Sequence, residues 1–193
     1  TDTAGLSPRP DKAPHVINNS WYCAVSEGCT DRAVDTLLEI AVTNLKRAGI
    51  FVVVSNGNAG SSCASTDGPP AYFDSSFSVG AVNSDEQVAR FSSRGPVTRD
   101  GSTRIKPNVA APGVNVRSCV PGNAYANYQG TSMAGPHVAG LVALILSARP
   151  DLAGQVEIIE DLIEQTAVFR PDTFGCTADA AARPNNVYGY GRV

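Results

Sequence analysis

Gly130-Thr131-Ser132-Met133-Ala134-Gly135-Pro136-His137-Val138-Ala139-Gly140 is the stretch on which the reading of this chain turns. It places a serine where a glycine-containing loop passes into a helix, so that the serine N–H lies among the unbonded donors of the first turn, above the positive end of the helix dipole. An oxyanion is stabilised in such a place. An isolated serine before a helix is ordinarily just an N-cap, and the residues around Ser132 must carry any stronger reading.

Working outward, the segment 132–148 is apolar on most sides through Val138, Leu141, Val142, Leu144, Ile145 and Leu146, which predicts a helix running through a core, stopped by Pro150. Upstream, Val34, Leu37, Leu38, Ala41, Leu45 and Ala48 follow helical spacing over 32–48, with Thr30 or Asp31 available as cap and Gly49 as stop. Residues 50–54 form a continuous β-branched and aromatic run, as expected of a strand buried on both faces of a parallel sheet. With the short strand-like run His15, Val16, Ile17 before the helix, this makes a βαβ unit. Further strands are expected at 77–82, 108–110 and 114–118. Val156, Ile159, Leu162 and Ile163 predict an outer amphipathic helix, and residues 188–191 a closing Gly/Tyr turn. No repeat and no linker interrupts the pattern, so a single α/β domain over 1–193 is expected.

Composition excludes several partners. The chain has 193 residues, 42% hydrophobic and 17% charged, with a formal net charge of −3. The absence of basic runs argues against nucleic acid and against attachment to anionic lipid. The longest apolar run, 138–146, is about half of the roughly 18–20 residues that span a bilayer, so no membrane partner is expected. Residues 1–12 are polar and Pro-containing, without the apolar stretch of a secretory leader. Cys23, Cys29, Cys63, Cys119 and Cys176 contain no CxxC pair and no histidine at ligand distance, which disfavours zinc. Disulfides in an exported protein fit better, Cys23 with Cys29 as the local pair and one thiol left over; buried free thiols in a cytosolic protein are the alternative.

The 130–140 undecapeptide resembles the nucleophile motif of the subtilisin-like serine proteases (subtilases, peptidase S8), nearly letter for letter. Val53-Val54-Ser55-Asn56-Gly57-Asn58-Ala59-Gly60 is similar to the family's oxyanion segment, which puts Asn58 on its catalytic asparagine. A rigidly held amide N–H₂ there, with the Ser132 N–H, suits the charge that develops on a scissile carbonyl oxygen. Ile17-Asn18-Asn19-Ser20-Trp21 resembles the strand that pairs with substrate; 77–96, 109–116 and 188–193 follow the family in the same order. The resemblance implies a three-layer α/β fold with a mostly parallel central sheet, incomplete on its N-terminal side. It implies Ser132 and Asn58 as catalytic residues, and Ser20, Trp21, Tyr22, Gly57, Gly130 and Thr131 as substrate-binding ones. A polypeptide is the implied substrate, and secretion the implied location.

The family also needs a His base oriented by an Asp, in the chain order Asp, His, Ser. Neither signature stands upstream of Ser132 in these residues. His137 is five positions on, about 500° around the helix, and so faces roughly 140° away from Ser132. The resemblance matches His137 to a non-nucleophilic histidine of the motif with a core hydrogen bond, and His15 reads as a strand-end residue. The chain is therefore expected to be the C-terminal two-thirds of a subtilase domain, inactive alone and requiring its N-terminal part or self-association. A non-catalytic peptide-binding or inhibitory scaffold is the competing function. Trp21 and Tyr22 depart from the small residues usual at those places. No cofactor is required for the chemistry. Structural Ca²⁺ is weighed on Asp67, Asp74 and Asp85, against a reading as solvated loop acids, and no metal residues are assigned.

Overall fold

Alternate residues of one strand feed two different cores, and this sets the layering. The computed structural model describes residues 5–29 and 32–193. In β2 (Phe51–Ser55), wholly buried, Val52 and Val54 pack with Val42, Tyr72, Phe73 and Val97, while Phe51 and Val53 point to the opposite core with Phe77, Val79, Val109 and Val138. The period of two along a strand makes that division unavoidable. β1 (Val16–Asn19), β2, β3 (Phe77–Val82) and β4 (Val109–Pro112) form one parallel sheet in that order, Val16 opposite Phe51 and Val79 opposite Val109.

Helix α1 (Arg32–Arg47) covers the first face through Leu38, Val42 and Leu45. Asp35 in its first turn and Lys46 and Arg47 in its last complement the helix dipole; the caps expected at Thr30 or Asp31 lie outside the described residues. Helices α2 (Thr131–Ala148) and α3 (Val156–Thr166) cover the second face through Ala134, Val138, Val142, Ile159 and Ile163. The three-layer α/β expectation is met, with strand ends shifted by one or two residues. The segment β5 (Val116–Val120) expected at 114–118 turns back on a partner that sequence reading omits, β6 (Ala124–Tyr128), in an antiparallel ribbon.

Two edges differ. β4 is flanked by a parallel bridge from Ala110 to Arg192, whereas no strand lies against the outer side of β1 among the described residues. The reading of α2 as a helix through the core needs correction. Its inner face is buried on the sheet, but Pro136, His137, Gly140, Ala143 and Leu144 are exposed, Leu144 by 70%. Over 18 residues its mean hydropathy is 1.4, so by length and composition, unlike the nine-residue run, it is long and apolar enough to cross a bilayer. Here it rests on the sheet, because Gly135 lets it approach β1 closely: a Cβ on Gly135 would stand 2.8 Å from Asn18 Oδ1.

Cys23 is bonded to Cys29, and Cys63 to Cys176 across 113 positions, leaving Cys119 free and exposed. Lys106 is fully buried; its ammonium donates to the Ser76 carbonyl (2.6 Å) and Asn108 Oδ1 (2.8 Å), and burial pulls its pKa down to about 7. The unfolded chain holds this proton up to its ordinary value of 10.5, so it binds more protons than the folded chain between those limits. Stability from this group therefore rises with pH across that window. From about pH 7.5 to 9.5 the chain is expected to gain about 2 kcal/mol relative to a Lys106→Met variant, read from urea midpoints at the two pH values. An equal pH dependence of both proteins would refute it.

Candidate active site

The carboxyl ends of the parallel strands and the start of α2 converge on one cleft of about 470 Å³, the place where open α/β sheets gather ligands. β1 delivers Ser20, Trp21 and Tyr22; β2 delivers Asn56, Gly57 and Asn58; α2 delivers Thr131 and Ser132. All of these line the cleft. Gly130 does not: it is buried behind, its N–H bonded to the Gly113 carbonyl (2.8 Å), with φ at +148°, a conformation that favours glycine.

Helix α2 begins at Thr131, so Ser132 sits inside the first turn rather than capping it. Its N–H has no acceptor among the described residues, while the Thr131 N–H is taken by Asn58 Oδ1 (2.9 Å). Ser132 is tied to β1 twice. Ser20 Oγ donates to the Ser132 carbonyl (3.1 Å), and Ser132 Oγ reaches the Ser20 carbonyl at 3.5 Å. Ser20 Oγ in turn accepts from Asn18 Nδ2 (2.9 Å).

Asn58 is held by its oxygen. Oδ1 accepts from both the N–H and the Oγ1 of Thr131, each at 2.9 Å, so the amide can be in only one orientation and its Nδ2 is left to donate. Thr131 Oγ1 also accepts from the Gly57 N–H (3.2 Å). This orienting role of Thr131 is missed by sequence reading, which places it only against substrate; the hydroxyl one residue before Ser132 was the available signal. Asn56 is also missed. It is buried, and its Nδ2 bonds Thr66 Oγ1 (3.0 Å) and the Ser93 carbonyl (2.7 Å), bracing the opposite wall.

Trp21 and Tyr22 are 49% and 61% exposed and form cleft wall, with Tyr22 lying over the Gly68 backbone. Neither histidine reaches Ser132. His137 is on the exposed face of α2, its Nδ1 at 2.8 Å from the Met133 carbonyl, so its hydrogen bond is a surface one and not the core one expected. His15 precedes β1 and Ser20 follows it, about 15 Å apart along an extended strand. Among the described residues no group of three or more His, Cys, Asp or Glu side chains gathers to hold a metal ion. Of the acids weighed for Ca²⁺, Asp67 lines the cleft, Asp74 lies 4.0 Å from Arg104 and Asp85 sits in a turn made by Asn83.

The sequence model of the subtilase family, peptidase S8, matches residues 2–191. The chain belongs to that family, the subtilisin-like serine proteases. Bacillopeptidase F of Bacillus subtilis (strain 168) is 38% identical to this subtilase over 191 residues, 97% of the chain and 12% of that protein. Subtilisin E of the same organism is 43% identical over 140 residues, covering 72% of the chain and 34% of its own length. Among solved structures, an S41 psychrophilic protease superposes with a TM-score of 0.71 at 27% identity, over 92% of this chain and 56% of that one; sphericase gives 0.70 at 25%, with the same coverage. The chain spans between an eighth and about a third of the length of these curated relatives and just over half of the solved ones.

Proposed function

We propose that this subtilase chain carries the nucleophile and oxyanion hole of a serine endopeptidase. Ser132 Oγ attacks the peptide carbonyl, and the Ser132 N–H and Asn58 Nδ2 hold the oxyanion. The observation that carries the reading is the orientation of Asn58, whose oxygen is occupied twice by Thr131 so that its N–H₂ is free beside Ser132. Substrate is a polypeptide, laid along Ser20, Trp21 and Tyr22, and no cofactor enters the chemistry. Two disulfides fit an oxidising, extracellular location.

The proton of Ser132 needs a base that neither His15 nor His137 supplies. Activity therefore belongs to the full-length protein, in which the preceding part of a subtilase domain brings the Asp and His and covers the open edge of β1 and the bare face of α2; the chain by itself is inactive. A fluorophosphonate probe tests this. The full-length protein is expected to label stoichiometrically at Ser132 and residues 1–193 alone to label poorly; full-length protein that resists labelling would favour a peptide-binding scaffold instead.

Thr131→Val keeps the shape but removes the hydroxyl that fixes Asn58. It is expected to lower kcat about tenfold, the worth of one well-placed hydrogen bond, whereas Thr131→Ser is expected to stay within about threefold of the parent. Steady-state kinetics on a peptide amide checks both.

A further inference from the structure

The cleft has one charged wall residue. Asp67 lines it together with Trp21, Tyr22, Gly68 and neutral side chains, and no ion pair or hydrogen bond of its carboxylate exists among the described residues. Its loop is fixed on both sides, after it by the Cys23 N–H on the Pro69 carbonyl (2.9 Å). The Ser65 and Thr66 N–H groups bond the Arg94 carbonyl (2.8 and 3.1 Å), and Thr66 Oγ1 takes the Asn56 amide. Arg94, whose own N–H is bonded to Ser65 Oγ, sends its guanidinium over the Phe174 ring at 4.0 Å and does not enter the cleft. A carboxylate is thus presented on a braced loop with no cation of the chain to meet it. An exposed loop acid is ordinarily just hydrated; here it shares one cleft lining with two exposed aromatic side chains, and Tyr22 lies against the neighbouring Gly68.

We propose that Asp67 makes the cleft select Lys or Arg at the substrate residue whose carbonyl is attacked. The reading rests on the endopeptidase assignment: with the carbonyl between Ser132 and Asn58, the side chain of that residue is the one that enters the same cleft. The apolar stem of a lysine or arginine runs along Trp21 and Tyr22, and its charged end meets Asp67. An apolar side chain gains the aromatic walls but leaves Asp67 beside it without a counter-ion, and an acidic one is repelled.

The test uses the full-length protein and matched peptidyl aminomethylcoumarins ending in Lys, Arg, norleucine, Phe or Glu. Norleucine keeps the lysine stem without its ammonium. Lys and Arg peptides are expected to exceed norleucine in kcat/KM by about tenfold or more, as for a partly solvated charge pair. The ratio should shrink when salt is raised from about 0.02 to about 0.5 M. In Asp67→Asn and Asp67→Ser the Lys to norleucine ratio should fall toward one while the norleucine peptide is still cleaved, a control that also reports folding. A parent protein that cleaves norleucine or Phe as well as Lys, or variants that keep the Lys preference, would overturn this proposal and leave the endopeptidase reading standing. Failure to cleave any peptide together with failure to label with fluorophosphonate would overturn both.

Discussion

Ser132→Ala in the full-length protein is expected to lower kcat about 10⁶-fold, the loss known when a subtilisin forfeits its nucleophile, with the fold intact. The side chain carries little structure. Among the described residues its Oγ makes one long contact, to the Ser20 carbonyl at 3.5 Å, whereas the shorter bond from Ser20 Oγ uses the Ser132 carbonyl and survives the substitution. Alanine is also the best helix former, at a position inside α2. The urea midpoint should therefore stay within about 1 kcal/mol of the parent, and fluorophosphonate labelling should vanish. A fall in kcat below about tenfold would mean that another group attacks the carbonyl.

Asn58→Ala comes next, with kcat expected to drop about 10²–10³-fold and KM little changed. That range is the one measured for the same donor in subtilisin, and the geometry here gives the reason to transfer it. The amide oxygen is spent on Thr131, which leaves the nitrogen as the free donor of this side chain. A donor that meets charge only as it develops affects the transition state and not the bound substrate. Asn58→Asp sharpens the test: it preserves the shape and the acceptor toward Thr131 but replaces the donor with negative charge, so its kcat should fall at least as far. An unchanged kcat in either variant would remove Asn58 from the oxyanion hole. Loss of the acceptor in the Ala variant leaves the Thr131 N–H unpaired, at about 1 kcal/mol of stability.

Much of this was legible in the sequence because it depends on neighbours in the chain. The run 50–54 is apolar at every position, short, and rich in β-branched and aromatic residues, which together favour a strand buried on both faces. Ser132 and Asn58 sit in dense local motifs whose residue types each have a geometric use. What escaped depends on distance or on weak patterning. β6 reads Ala-Tyr-Ala-Asn-Tyr and is largely exposed on both faces, so it offers no alternation to detect. Cys63 and Cys176 are 113 positions apart, and spacing cannot pair them. Thr131 acts on Asn58 from 73 positions away, and only the fold brings Asp67 into one cleft lining with Trp21 and Tyr22. The outer face of α2 departs from expectation because apolar periodicity reports what a helix is able to bury, not whether a neighbour is there to bury it.

The bond between Cys63 and Cys176 also fixes the covalent topology of the chain. Asn58 lies just before the first cysteine, and Ser132 lies within the closed loop. A backbone cut at the exposed turn 101–103 separates the two in sequence, yet the piece bearing Asn58 keeps Cys63 and the piece bearing Ser132 keeps Cys176. Nicking there produces a two-chain molecule rather than two fragments: one band without reductant, two with it. Asn58 and Ser132, the two sides of the proposed oxyanion hole, stay within reach of each other after the cut, and cleavage at that turn becomes a change of connectivity instead of a loss of the site.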